Sequence, residues 1–149
     1  MRDGLSNKRI RPLIAPAAAV TDNTAFVSSI IDCQGYDKVT LVVVTGTNAD
    51  ADATVTALLE ESDASNMSGQ NSVADEDMVT MTPGTLPEAA ASFTFADDGE
   101  TRAIGYVGSK RYIRLTMTPA NNTGNQFLAG VAILEGKAPA NATLAASAN

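Results

Sequence analysis

Lys110-Arg111-Tyr112-Ile113-Arg114-Leu115-Thr116-Met117-Thr118 alternates without a break. Ile113, Leu115 and Met117 point one way, and Tyr112, Arg114, Thr116 and Thr118 point the other. Successive side chains of a pleated strand stand on opposite faces, so this stretch predicts a half-buried β-strand with a polar outer side. The same period recurs on either side of it. Downstream, Phe127 to Leu134 places Phe127, Ala129, Val131 and Ile133 on one face. Upstream, Thr54 to Ser62 sets Val55, Ala57 and Leu59 against Thr54, Thr56 and Glu60. Earlier still, Val39-Thr40-Leu41-Val42-Val43-Val44 lies within a strand expected over Tyr36–Thr45 and is apolar on both faces. That predicts a mid-sheet strand with something packed on each side.

The remaining strand signals are shorter. Ala25 to Ile31 is rich in β-branched and aromatic residues and ends at the turn-like Asp32-Cys33-Gln34-Gly35. Met78–Met81 and Ser92–Phe95 are brief, and Thr101–Val107 is followed by Gly108-Ser109, which fits a two-residue hairpin turn. No segment reads as a helix. Residues 63–87 are dominated by Ser, Asn, Asp, Gly and Pro, a long loop for a small domain and hence a place to look for contacts. Seven or eight short strands at regular spacing predict an all-β chain, a single β-sandwich of jelly-roll or immunoglobulin-like topology. Residues 1–24 show no period and read as an extended N-terminal arm, 25–135 as the sandwich, and 136–149 as a flexible Ala/Asn-rich tail.

Composition narrows the chemistry. The chain has 149 residues with no histidine, no tryptophan and one cysteine, Cys33. Without histidine, Ser-His-Asp and Cys-His catalysis and His-ligated metal sites are excluded. A single cysteine leaves no internal disulfide. The net charge of −7 disfavours nucleic acid and anionic membranes as partners. Charge is also unevenly spread, with twelve acids and no Lys or Arg over residues 50–100, against four bases and one acid in the first eleven. The apolar stretch Pro12 to Ala19 is broken by two prolines and is not expected to be a secretory signal.

Each candidate site has a plain structural alternative. Asn48-Ala49-Asp50-Ala51-Asp52 alternates oxygen-bearing side chains like a calcium loop, but Ala53 and Leu59 stand where the glycine and glutamate would be needed, so a solvated loop is expected. Glu60-Glu61-Asp63 and Asp75-Glu76-Asp77 supply carboxylates without the aromatic cleft a glycosidase needs. Cys33 has no base to activate it and reads as a small hydrophobe. Gly105 to Lys110 lacks the spacing of a phosphate loop. Arg102, Lys110, Arg111 and Arg114, with Tyr112 on the Arg114 face, form either an ordinary solvated face or a patch that pairs with carboxylates of another copy. No cofactor and no enzymatic activity are expected.

Several segments resemble a group of small virion proteins of tailed phages and prophages whose genes lie near that of the major capsid protein. They are Met1-Arg2-Asp3-Gly4-Leu5-Ser6-Asn7, Ile14-Ala15-Pro16-Ala17, Ile31–Asp37, Leu59–Asp63 and Ile104–Leu115, of which Gly-Tyr-Val-Gly-Ser-Lys-Arg-Tyr is the most specific. The similarity runs from the N-terminus to about Glu135, and the Ala/Asn tail departs from the group's ending. The resemblance implies a structural virion protein, on the capsid surface of a phage assembled in the bacterial cytoplasm. Its expected partner is the major capsid protein, and by analogy with decoration proteins it is expected to form a homo-oligomer, a trimer. On that reading Arg2, Lys8, Arg9 and Arg11 of the arm engage the capsid, and removing residues 2–20 weakens binding while leaving the sandwich folded. The alternatives are a head–tail connector, tail or fibre component, or a small carbohydrate- or receptor-binding β-module.

Overall fold

The structure is a computed structural model that describes residues 4–5 and 7–136. The tail, from residue 137, and Arg2 lie outside the described residues. The strands are β1 (Lys8–Ile14), β2 (Phe26–Val27), β3 (Ile31–Asp32), β4 (Lys38–Asn48), β5 (Thr54–Ser62), β6 (Asn71–Ser72), β7 (Met78–Thr80), β8 (Phe93–Thr94), β9 (Thr101–Tyr106), β10 (Tyr112–Ala120) and β11 (Gln126–Glu135). A 3-10 turn (Asp75–Asp77) precedes β7, and one short helix, α1 (Pro87–Ala91), precedes β8.

The strands form two antiparallel sheets packed as a sandwich. One runs β1-β11-β4-β9-β7. The other runs β2-β10-β5-β6, with β3 also on β10 and β8 also on β5. The long strands β4, β5, β9, β10 and β11 alternate between the sheets, so the chain crosses the core at each connection, as in a jelly roll. The interior is a layer of Leu41, Val43, Ile104, Ala132 and Leu134 against Val55, Leu59, Ile113, Leu115 and Met117, all buried. Each large aliphatic side chain removed from water there contributes about 1.5–3 kcal/mol. The alternation read in Thr54–Ser62 and Tyr112–Thr118 therefore selects the core as expected.

Elsewhere the structure departs from the sequence reading, for identifiable reasons. Ala25–Ile31 is two strands, because buried Ser28 interrupts it. Ser28 Oγ accepts the Leu115 N–H, and the Ser29 N–H turns away to the Leu13 carbonyl. Gly108-Ser109 is not a hairpin turn, since β9 and β10 belong to different sheets and residues 107–111 carry the chain between them. The helix went unread although Pro87 at its first turn, Glu88 and three alanines are helix-start signals. It completes the interrupted edge of β5: Ser92 Oγ accepts the Ala57 N–H and Glu88 Oε1 accepts the Leu59 N–H, in the gap between β8 and β6.

The N-terminal segment is extended, but it is not a free arm. Lys8–Ile14 pairs with β11 from Lys8↔Glu135 to Ile14↔Gly130, with a bulge after Pro12. Leu13 and Ile14 are buried in the core. Removing residues 2–20 strips away an edge strand and two core side chains, so the expectation of an intact sandwich does not stand. The sequence showed no period there because an edge strand carries Lys, Arg and Pro, which guard its open side. Leu13→Ala is expected to cost about 2–4 kcal/mol in denaturant unfolding. A loss below about 0.5 kcal/mol, the size of an ordinary surface change, would mean that this segment does not hold the fold.

Candidate functional site

The two outer faces of the sandwich differ in kind. On the second sheet, the outward positions of β10 face β5 as Arg114↔Glu60, Thr116↔Leu58 and Thr118↔Thr56. Arg114 donates from Nε and Nη2 to Glu60 Oε2, at 3.2 and 2.8 Å. This face is stitched by an ion pair, with Leu58 and exposed Val27 flanking Thr116 in the next outward row.

The five-stranded sheet is the opposite. Its registers put Ile10, Ile133, Thr40, Gly105 and Val79 in one row and Pro12, Val131, Val42 and Ala103 in the next. A third row holds Ala129, Val44 and Thr101, with Phe127 beyond it against Gly46. Ile10, Val44, Val79, Phe127 and Val131 are 39–54% exposed. Charge appears only at one end, where Lys8, Glu135 and Lys38 share a row. The Lys8 ammonium bonds the Glu135 carboxylate and holds it below the usual carboxylate range. The apolar second face of β4 was expected to be covered. Among the described residues it is not, and the Phe127-Ala129-Val131-Ile133 set joins it on the solvent side. These exposed side chains lie in adjacent rows and not as isolated spots.

The basic residues singled out from sequence are mostly engaged within the chain. Lys110 Nζ lies 2.6 Å from Asp63 Oδ2, which raises the lysine above its ordinary value. Arg111 binds both carboxylate oxygens of Asp32, at 3.0 and 2.8 Å, and its guanidinium lies 4.9 Å from the Tyr112 ring centre. Those hydrogen bonds hold Asp32 well below the usual carboxylate range. Arg102 bridges Asp97 and Glu100. Arg9 and Arg11 are exposed on β1, and Arg11 adds a favourable charge near Asp32. The structure thus scatters these cations over several pairs instead of gathering them into one patch.

The Gly-Tyr-Val-Gly-Ser-Lys-Arg-Tyr segment has a specific geometric job, which sequence spacing did not reveal. Buried Tyr106 donates its hydroxyl to Glu61 Oε2 at 2.7 Å and accepts the Lys110 N–H at 2.9 Å. Burial and the carboxylate together push this phenol up. Gly108 lies against the ring, where an added Cβ would fall 2.5 Å from the ring carbon Cε2. The segment fixes the crossing from one sheet to the other. An open hollow of about 360 Å³ beside it is lined by Ser62, Asp63, Ser68, Asn71 and Lys110 among others.

Asp50 of the suspected calcium loop accepts both the N–H and the hydroxyl of Thr123, which hold it far below the usual range. Its carboxylate pushes neighbouring Asp52 up. These side chains tie the β4–β5 loop to the β10–β11 loop. Nearby, Asn48 and Gln126 are buried cross-strand partners, and amide atoms of both have no protein partner. Among the described residues no three His, Cys, Asp or Glu side chains converge as a metal site. Burial, aided by the Asp32 charge, raises the Cys33 thiol to about 12, so it stays protonated at neutral pH. No helix among the described residues is long and apolar enough to cross a membrane.

No family model and no curated protein matches the chain. Among solved structures, a Clostridium thermocellum xylanase 10B fragment carrying CBM22-1 and GH10 modules aligns at 14% identity and a TM-score of 0.44, over 92% of this chain and 27% of that one. The infectious bursal disease virus Gt strain structure aligns at 8% identity and a TM-score of 0.34, over 86% of this chain and 32% of that one. A D431N mutant VP2 of the same virus aligns at 18% identity and a TM-score of 0.24, over 95% and 42%. The chain therefore spans less than half of each. These likenesses are distant.

Two predictions follow from the site's electrostatics and hydrogen bonding. Asp22, Asp32, Asp97 and Glu135 all titrate below their ordinary values when folded. Their contribution is therefore present above the unfolded value near pH 4 and lost as pH falls through the lower folded values. The melting temperature is expected to hold between about pH 7 and 5 and to drop below about pH 4, with Arg111→Gln flattening the acid limb. Tyr106→Phe leaves the Lys110 N–H and Glu61 without their partner and is expected to cost about 1–3 kcal/mol in denaturant unfolding.

Proposed function

We propose that this chain is a structural virion protein, a decoration or cement subunit that binds the outer capsid surface of a tailed-phage head and reinforces it. The observation that carries this reading is the outer face of the five-stranded sheet, apolar except for the row of Lys8, Glu135 and Lys38 at one end. It is predominantly apolar over three adjacent rows, whereas the other large face carries the Arg114–Glu60 ion pair. Such a surface serves adhesion, and the chain has no histidine with which to build the common catalytic centres. The resemblance of Ile104–Leu115 to small proteins encoded beside major capsid proteins supplies the setting, with the major capsid protein as partner.

On this reading attachment runs through the sheet face rather than through a basic arm. Val44→Asp with Val131→Asp places two carboxylates in the middle of the apolar field without touching the core. The doubly substituted protein is expected to melt within a few degrees of the parent and to lose binding to undecorated heads in a co-sedimentation assay. Retained binding would overturn the face as the attachment site. Quantitative mass spectrometry of purified virions checks the role itself. Hundreds of copies in simple ratio to the capsid protein are expected, whereas a handful to a few dozen would move the protein to the neck or tail.

A further inference from the structure

The five-stranded sheet ends in two open edges of opposite charge. Among the described residues β1 pairs only with β11, and β7 only with β9. The β1 edge carries Lys8, Arg9 and Arg11, while the β7 edge is preceded by Asp75, Glu76 and Asp77. Four successive antiparallel pairings leave β1 and β7 running in the same direction. The registers also align them. Arg9 and Met78 end one row across the sheet, and Ile10 and Val79 end the next. One residue earlier on each edge stand Lys8 and Asp77. A second copy laid alongside in the same orientation therefore brings Val79 to Ile10 and Asp77 to Lys8, with Asp75 and Glu76 just before the start of the basic run. Ile10 and Val79 are 54% and 53% exposed, on the same face of the sheet, so both gain cover from the contact.

Charge also decides the kind of symmetry. Two β1 edges meeting across a two-fold axis would run antiparallel and set Lys8, Arg9 and Arg11 against themselves. Two β7 edges so paired would put Asp75, Glu76 and Asp77 of each copy opposite Met81, Thr82 and Pro83 of the other. Like charges across a strand pair are destabilising, which bars the β1–β1 arrangement, while a β7–β7 contact leaves the acids of both copies without an opposite charge. The heterologous combination alone sets acid toward base. Such a contact repeats from copy to copy, as a ring where the rotation between copies closes and as an open filament where it does not. Pro12, lacking an N–H, limits the pairing to the Lys8–Arg11 part of the edge.

We propose that the chain self-assembles by extending its five-stranded sheet from copy to copy, the basic β1 edge of one pairing with the acid-flanked β7 edge of the next. This goes beyond capsid binding and does not depend on it, since it is read in solution with no capsid present. The test is the self-association of the full chain, measured by sedimentation equilibrium at low and high salt. Association is expected at low salt and should weaken as salt is added. Arg9→Glu with Arg11→Glu, and separately Asp75→Lys with Glu76→Lys, should each weaken it by about tenfold or more. A chain carrying all four substitutions should associate again, because both edges have exchanged sign. Melting curves confirm that each variant is folded, and if Arg11→Glu disturbs Asp32, Arg9→Glu alone serves for the β1 edge. A parent chain that stays monomeric at near-millimolar concentration, single-edge reversals without effect, or a four-substitution chain as weak as either reversal would overturn the proposal.

Discussion

A two-sheet sandwich has one interior, so each strand can bury only one of its faces against the opposite sheet. Much of this molecule follows from that constraint. β5 and β10 obey it simply, with Val55, Ala57, Leu59, Ile113, Leu115 and Met117 inward and polar or charged groups mostly outward. β4 and β11 supply more apolar surface than the interior can take. Val39, Leu41, Val43, Leu128, Ala132 and Leu134 fill it, and Val42, Val44, Phe127, Val131 and Ile133 are left on the far side. The surplus is concentrated on the two strands that stand side by side in their sheet, which is why it forms a field and not isolated spots.

The charged residues complement this arrangement. Arg114–Glu60, Lys110–Asp63 and Arg111–Asp32 join β10 and its preceding turn to neighbouring segments of the same sheet or its margin. Partly exposed pairs of this kind contribute little stability each, and they are screened by salt. Their larger effect is on identity: they occupy the cations that a loose reading of the sequence would offer to a partner. Arg9 and Arg11 on the β1 edge remain exposed, at the opposite side of the sheet from the acidic turn before β7. The molecule thus exposes apolar side chains on one face and is electrically asymmetric across that same sheet.

Several readings from sequence survived contact with the structure because they rested on local physics. The alternation in Tyr112–Thr118 and Thr54–Ser62 requires only neighbouring residues, and burial followed it through Tyr112–Thr118 and from Thr54 to Glu60, breaking only at Glu61 and buried Ser62. What was missed depended on distant partners. The strand character of Lys8–Ile14 comes from pairing with β11 more than a hundred residues later, and an edge strand has no full core face to advertise. Gly108-Ser109 carries a hairpin signal, yet Tyr106 closes a different turn by reaching Glu61 and the Lys110 N–H. The helix over Pro87–Ala91 does carry local start signals, but its role depends on distant partners: Glu88 and the following Ser92 accept two N–H groups of β5.

The sequence by itself determined the class of the protein: an all-β sandwich with a defined inner face on its half-buried strands, and a chemistry without histidine-based catalysis. Those follow from the two-residue period and from composition, which are properties of neighbours and counts. Only the tertiary structure decided which apolar face of β4 and β11 meets water and which cations are already paired. It also decided that the N-terminal segment belongs to the sheet, with one edge basic and the other flanked by acid. The reason is physical: a side chain's alternation fixes that it has a face, but which face is buried depends on the sheet laid opposite, and that sheet is assembled from strands far away in the chain.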